Sequence, residues 1–236
     1  MSRSIEALVE EQVRRWELSR QAPKDVAARP VVTVTGQHGA RGDELSQRLA
    51  SELGLDHFDR EIIHRIAESA NLSERVVASI DGKKRELMTE WLAALASRSY
   101  LSPTQYRYHL AHVIGAIAHQ GGAVILGRGA HLLLGRGEAL RVLAVAPLED
   151  RVRTVMESEG LSERDSRRRI VEVEADRRAF ILMHYHTEFA DPAAFDLVVN
   201  TTVLGLDGST AAIRAALATW RTQPGRPAAN HTSPRG

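Results

Sequence analysis

The apolar positions alternate between two periodicities along the chain. Short continuous runs of β-branched and apolar residues at 31–35, 124–126, 142–145 and 197–199 suit strands buried on both faces, and 57–58 reads as a further short strand. Between them the spacing lengthens to that of a helix. Leu45, Leu49, Leu53 and Leu55 form one stripe, and Ile62, Ile63 and Ile66 another. Further helical patterns cover residues 73–80, 87–100, 102–119, 149–159, 163–184 and 210–221. Gly54, Gly121-Gly122 and Gly160 stand where helices should stop, and Ser162 where one should start. Strand and helix alternating in this way predict an α/β fold with a parallel sheet covered on both faces. Upstream, residues 4–20 read as a helix carrying Ile5, Leu8, Val9, Val13 and Trp16 on one face. It should pack either onto the domain or onto a second copy in a homodimer. Residues 222–236 have no periodicity and are expected to be disordered.

Composition narrows the function classes. With 31 basic and 30 acidic residues the formal net charge is +1, so bulk charge does not suggest a nucleic-acid binder. The 236 residues contain no cysteine, which excludes disulfides and thiolate chemistry. No apolar run approaches a membrane span, and the first residues alternate in charge unlike a signal peptide. The expectation is a cytoplasmic protein with no membrane partner.

The stretch VVTVTGQHGARGDE, residues 31–44, is the most informative. Strand, glycine-rich turn and helix together make a phosphate site, because backbone N–H groups and the helix N-terminus converge on the turn. A P-loop would end in Gly-Lys-Ser/Thr. This one ends Arg41-Gly42-Asp43-Glu44, with no lysine and with an acid near the place of the hydroxyl. A βα turn that binds nothing is the alternative. Ligands in open α/β sheets lie at the carboxyl ends of strands. Asp59-Arg60, Gly127-Arg128-Gly129, Ala146-Pro147 and Asn200-Thr201 should stand there beside the loop. Arg128 is either a phosphate fork or a salt bridge on a turn. Helix 163–184 carries Arg167, Arg168, Arg169, Arg177 and Arg178 among acids, which makes it either a solvated face or an arginine-bearing lid. The histidine pairs His109/His112 and His184/His186 complete no metal pattern, so no metal ligands are assigned.

With these residues placed, the sequence resembles the cytidylate kinase-like family, a branch of the P-loop nucleoside monophosphate kinases. The segments that carry the resemblance are VTVTGQHGARGDEL, LASELGLDHFDREII, AVILGRGAHLLL, RVLAVAPLEDRV, GLSERDSRRRIVEVEADRRAF and FADPAAFDLVVNTTVLGLD. It implies a three-layer fold with a five-stranded parallel sheet, a helical insert near 69–119 and an arginine-rich lid near 160–186, all within a domain spanning 30–221. It also implies ATP with Mg²⁺ as donor and CMP or dCMP as acceptor. In that reading Gly36, Gln37, His38, Gly39, Ala40, Arg41, Gly42, Asp43 and Glu44 cradle the donor phosphates. Arg151 and Arg153 lie near the donor base. Asp59, Arg60 and Arg128 hold the acceptor, and Arg177 and Arg178 neutralise the transferring group. Arg41 is the basic residue of the loop that could replace the lysine, and Asp43 could hold Mg²⁺ through water. Two departures stand out: Asp43 replaces an arginine of the branch's usual loop, and Leu126 and Gly129 replace acids that flank Gly-Arg. A nucleotide-binding or regulatory protein that keeps the fold without catalysis is the alternative these departures leave open.

Overall fold

The computed structural model describes residues 29–68, 105–135 and 137–222. The expected helices at 4–20, 73–80 and 87–100, the tail beyond 222 and a dimer contact through the first helix lie outside them. Five strands form one parallel sheet in the order β2-β3-β1-β4-β5: β1 (Val31–Gly36), β2 (Asp56–Phe58), β3 (Ala123–Leu126), β4 (Leu140–Val145) and β5 (Leu197–Asn200). The helices are α1 (Gly42–Leu53), α2 (Arg60–Glu68), α3 (Gln105–Gln120), α4 (Ala130–Leu133), α5 (Leu148–Glu159), α6 (Glu163–Tyr185) and α7 (Thr201–Thr222). The fold class is therefore the expected three-layer α/β arrangement.

The two faces of the sheet explain the continuous apolar strands. Side chains alternate along a strand, so neighbours enter opposite cores. Val31, Ala123 and Ile125 pack under α2, α3 and the end of α6, with Ile63, Ile114, Ile117 and Ile181. Val32, Val34, Val124 and Leu126 face α1 and α7, meeting Leu45, Leu49, Ile213 and Leu217. Every residue of β1 is buried, as a central strand covered on both sides requires. A smaller cluster of Val152, Val155 and Ile170 joins α5 to α6. Among the described residues no helix is long and apolar enough to cross a membrane.

The start of β5 is fastened by an ion pair whose arginine is buried. Arg141 forks onto Asp196 at 2.8 and 3.1 Å, while its own amide donates to the same carboxylate at 3.0 Å. The Arg141 side chain is 8% exposed, so little water stands ready to replace that partner. Asp196→Ala should lower stability by about 2–3 kcal/mol, because it leaves a buried guanidinium without its charged acceptor. Urea denaturation checks this; a loss below 1 kcal/mol would mean water reaches Arg141.

Two local features differ from the sequence-based expectation. The last helix begins at Thr201 rather than near 210, and it crosses a break at Gly205, whose φ of 63° and ψ of −179° are not helical. The GLDGS stretch interrupts the apolar period there. A single-turn helix, α4, also follows β3, too short to show a period.

Candidate active site

The chain order of the sheet changes direction at β1, flanked by β3 on one side and β4 on the other. The crevice at the carboxyl ends of these strands is where such sheets bind ligands. The loop from Gly36 to Gly42 lies there and is fastened from several elements. Gln37 donates its amide to Ala144 O at 3.1 Å, and its side-chain oxygen accepts from Ala146 N at 3.1 Å. Buried Arg151 donates to the carbonyls of His38 at 3.3 Å and Ala146 at 3.2 Å, and pairs with Glu174 of α6 at 2.6 Å. Thr201 donates to Ala40 O at 3.0 Å. Gly39 has φ +82°, and a Cβ there would stand 2.6 Å from the Arg151 carbonyl oxygen, so the loop passes α5 only because this residue lacks a side chain.

Arg41 also has positive φ, 54°, at the cap of α1. Counting the P-loop spacing from Gly36, Arg41 stands at the second glycine, Gly42 at the lysine and Asp43 at the hydroxyl. The left-handed backbone at Arg41 is what that glycine place demands. The amides of His38, Gly39, Arg41, Gly42 and Asp43 donate to no acceptor among the described residues. They remain available to an anion at the positive end of α1.

The charged side chains of the loop turn to other partners. Arg41 forks onto Glu44 at 2.9 and 2.7 Å on the exposed side of the helix. Those hydrogen bonds hold the Glu44 carboxyl below its ordinary range against the opposing effect of partial burial. Asp43 accepts from Arg60 Nη2 at 2.8 and 3.0 Å. His38 Nε2 is 3.4 Å from Glu159, within ion-pair distance but without hydrogen-bond geometry. Burial and then the Arg177 charge lower the His38 pKa, which favours the neutral ring.

Beside the loop is a cavity of about 310 Å³. Arg60, Arg128 and Arg177 enter it among Leu126, Phe180 and Phe189. Arg177 donates to Gly36 O at 2.7 Å. Burial first, then the nearby Arg60 charge, push its pKa down to about 10, so it stays a cation at neutral pH. Arg128 has its Nε on Arg60 O at 3.1 Å and its guanidinium carbon 5.4 Å from the Phe180 ring centre. Tyr185 donates to Arg128 O at 2.6 Å. The Tyr185 ring fills the space a side chain at Gly129 would need. An acid at that position is therefore sterically excluded in this arrangement.

A model of the cytidylate kinase-like family matches residues 31–203 of the 236. The chain belongs to the cytidylate kinase-like family. It is 28% identical over 195 residues to the cytidylate kinase of Pyrococcus horikoshii, covering 83% of this chain and 90% of that one. The cytidylate kinase of Thermococcus kodakarensis is likewise 28% identical over 187 residues, covering 79% and 87%. A crystal structure of an uncharacterized protein from Eubacterium ventriosum superimposes with a TM-score of 0.57 at 13% identity, covering 81% of this chain and 99% of that one. That last likeness concerns the fold alone.

Within this family member, the residues singled out from sequence fall into three groups. Gly36, Arg60, Arg128 and Arg177 meet around the cavity. The remaining loop residues, 37–44, lie beside the cavity without lining it, and four others turn elsewhere. Asp59 caps α2, accepting from the amides of Glu61 at 2.9 Å and Ile62 at 2.8 Å. Arg151 is spent on holding the loop. Arg153 is 70% exposed and pairs with Asp150. Arg178 is exposed, 4.0 Å from Glu174. Sequence reading did not single out Thr35, His131, Phe180 or Tyr185. Their weak signal was the position of Thr35 at a strand end; the other three look like ordinary helix residues.

His131 lines the cavity with its Nδ1 3.1 Å from Thr35 Oγ1 and its ring stacked on Phe195 at 4.5 Å. Burial, then the charge of Arg141, push its pKa down to about 3. In the unfolded chain it titrates near 6.5, so the unfolded state binds the extra proton first as pH falls. The stabilising contribution is complete above pH 6.5 and disappears between 6.5 and 3. In that window it should add a slope of about 1.4 kcal/mol per pH unit. Urea midpoints for wild type and His131→Gln from pH 7 to 4.5 should diverge by that slope. Parallel curves would show that water solvates the ring.

Proposed function

We propose that this protein transfers the terminal phosphoryl group of ATP, with Mg²⁺, to CMP, dCMP or a related small acceptor. The observation that carries the reading is the loop of unpartnered amides opening beside a cavity that holds three guanidiniums. Phosphoryl transfer needs positioning and charge neutralisation more than covalent chemistry. The amides of His38, Gly39, Arg41, Gly42 and Asp43 at the end of α1 would take the donor phosphates. Arg177, anchored on Gly36 O at the edge of the loop, would face the group in transit. Arg128 would take the acceptor phosphate, its guanidinium braced by Phe180. Among the described residues no group of three or more His, Asp or Glu could cage a metal. A Mg²⁺ ion would be carried mainly by phosphates and water, with Asp43 as its protein carboxylate. The ion's role would be to neutralise phosphate charge.

The test is a coupled assay with ATP–Mg²⁺ against CMP, dCMP and other nucleoside monophosphates, beside calorimetric titration of ATP. Turnover of a cytidine nucleotide supports the reading. The second reading, a nucleotide-binding protein without catalysis, is favoured by one observation: Gly42 stands where the P-loop lysine would be. ATP binding without turnover of any acceptor would establish it. A protein that binds no nucleotide would overturn both.

A further inference from the structure

The loop has no lysine, and its own arginine lies on the exposed side of α1, both ends of its fork resting on Glu44. A guanidinium nonetheless reaches the mouth of the loop from a different element. Arg60 is the first residue of α2, and its side chain crosses over Gly127 to the first turn of α1. That route is built for it. Gly127 has φ +73°, and a Cβ there would stand 2.8 Å from Arg60 Cγ. Arg128 fixes the base of the side chain by donating to the Arg60 carbonyl.

What Arg60 meets there is Asp43, at the hydroxyl place of the loop. One nitrogen, Nη2, contacts both carboxylate oxygens, and Nε and Nη1 donate to no acceptor among the described residues. Arg177 stands close enough to be electrostatically coupled to Arg60, and its single described hydrogen bond goes to Gly36 O. Two like charges with spare donors, one of them half-buried, are a strained arrangement that an anion relieves. The Asp43 carboxylate supplies one negative charge at the edge of that site. It is 56% exposed and Arg60 is 36% exposed, so water can replace either partner and the pair is held weakly.

We propose that Arg60 is the cation of the loop's phosphate site, in place of the missing lysine, and that Asp43 is an intramolecular competitor that a polyphosphate displaces. This rests on the phosphoryl-transfer reading for its biological sense, but its physical content is anion binding. A polyphosphate brings several charges and planar pairs of oxygens that match the free edge of the guanidinium. The carboxylate offers one charge, end-on. On arrival of the ligand, Arg60 exchanges Asp43 for phosphate oxygens, and Asp43 turns to solvent or to the phosphate-borne cation.

The experiment is calorimetric titration of inorganic tripolyphosphate, in metal-free buffer, into the full chain and its variants Asp43→Asn, Arg60→Gln and the double variant. Asp43→Asn should bind about tenfold more tightly than wild type, and Arg60→Gln about tenfold more weakly, as one charge-assisted contact implies. The double variant should match Arg60→Gln, because the gain from Asp43→Asn exists only while there is an arginine to release. An equal gain from Asp43→Asn in both backgrounds would reduce Asp43 to simple repulsion and overturn the proposal. Weaker binding by Asp43→Asn would overturn it as well, by making the acid a support for Arg60. So would a failure of both wild type and Asp43→Asn to bind tripolyphosphate. If Arg60→Gln does not fold, Arg60→Met, which keeps the aliphatic stem over Gly127, takes its place alone and combined with Asp43→Asn. The titration requires no turnover. A protein that binds through Arg60 and transfers nothing keeps this inference and loses the enzyme reading. One that turns over with Arg60→Gln at the wild-type rate and affinity does the reverse.

Discussion

Arg177→Ala should cut phosphoryl transfer by on the order of 10³ or more in kcat, the range in which a guanidinium on the transferring group acts. Arg178→Ala should change it little. From sequence the two adjacent arginines are equivalent members of a charged helix, and a surface role for both would leave the melting temperature nearly unmoved. The structure separates them. Arg177 turns inward, donates to Gly36 O and lines the cavity. Arg178 is 57% exposed and only 4.0 Å from Glu174. The expected stability cost of Arg177→Ala is small, on the order of 1 kcal/mol, because the lost hydrogen bond is offset by relief of repulsion with Arg60. A coupled assay on both variants, with thermal melts, checks this. Equal activity losses would place both side chains on substrate, and an unimpaired Arg177→Ala would remove α6 from the chemistry.

Gly39→Val should abolish nucleotide binding and destabilise the fold by on the order of 2–4 kcal/mol. Two costs add at this position. Its φ of +82° is strained for a β-branched residue, and the new Cβ would lie 2.6 Å from a backbone oxygen of Arg151, which cannot swing aside like a side-chain tip. Arg151 in turn holds His38 O, Ala146 O and Glu174, so displacing it loosens the loop, the end of β4 and α6 together. Gly54→Ala is the control. Gly54 also has positive φ, 61°, but a Cβ there would meet nothing within 4 Å. It should lose only about 1 kcal/mol of backbone preference. ATP titration and urea melts on both variants make the comparison. If the two cost the same, the close approach to α5 contributes nothing.

The sheet was readable in advance because its signal is local. A central parallel strand is apolar or β-branched along its length, as in 31–35 of β1 and all of β3, and the helix stripes at Leu45, Leu49, Ile63 and Ile66 each need only one face to be buried. Helix ends at Gly54 and Gly160 and the cap at Ser162 were equally local, since backbone geometry at one residue decides them. The glycine loop, Arg60 and Arg128 could be placed at the strand ends for the same reason. Which charge meets which could not. Asp43 and Arg60 are 17 residues apart, and Arg177 and Gly36 are 141 apart. Their meeting depends on how α2 and α6 settle against the ends of β1 and β3. The fate of Arg41 shows the same limit: its sequence position suggests the missing lysine, but Glu44 one turn along the helix captures it. Gly129 looks like a lost acid until Tyr185 is seen to occupy its space. Local burial preference sets the elements, while the direction of each charged side chain is set by partners that only the packed chain brings within reach.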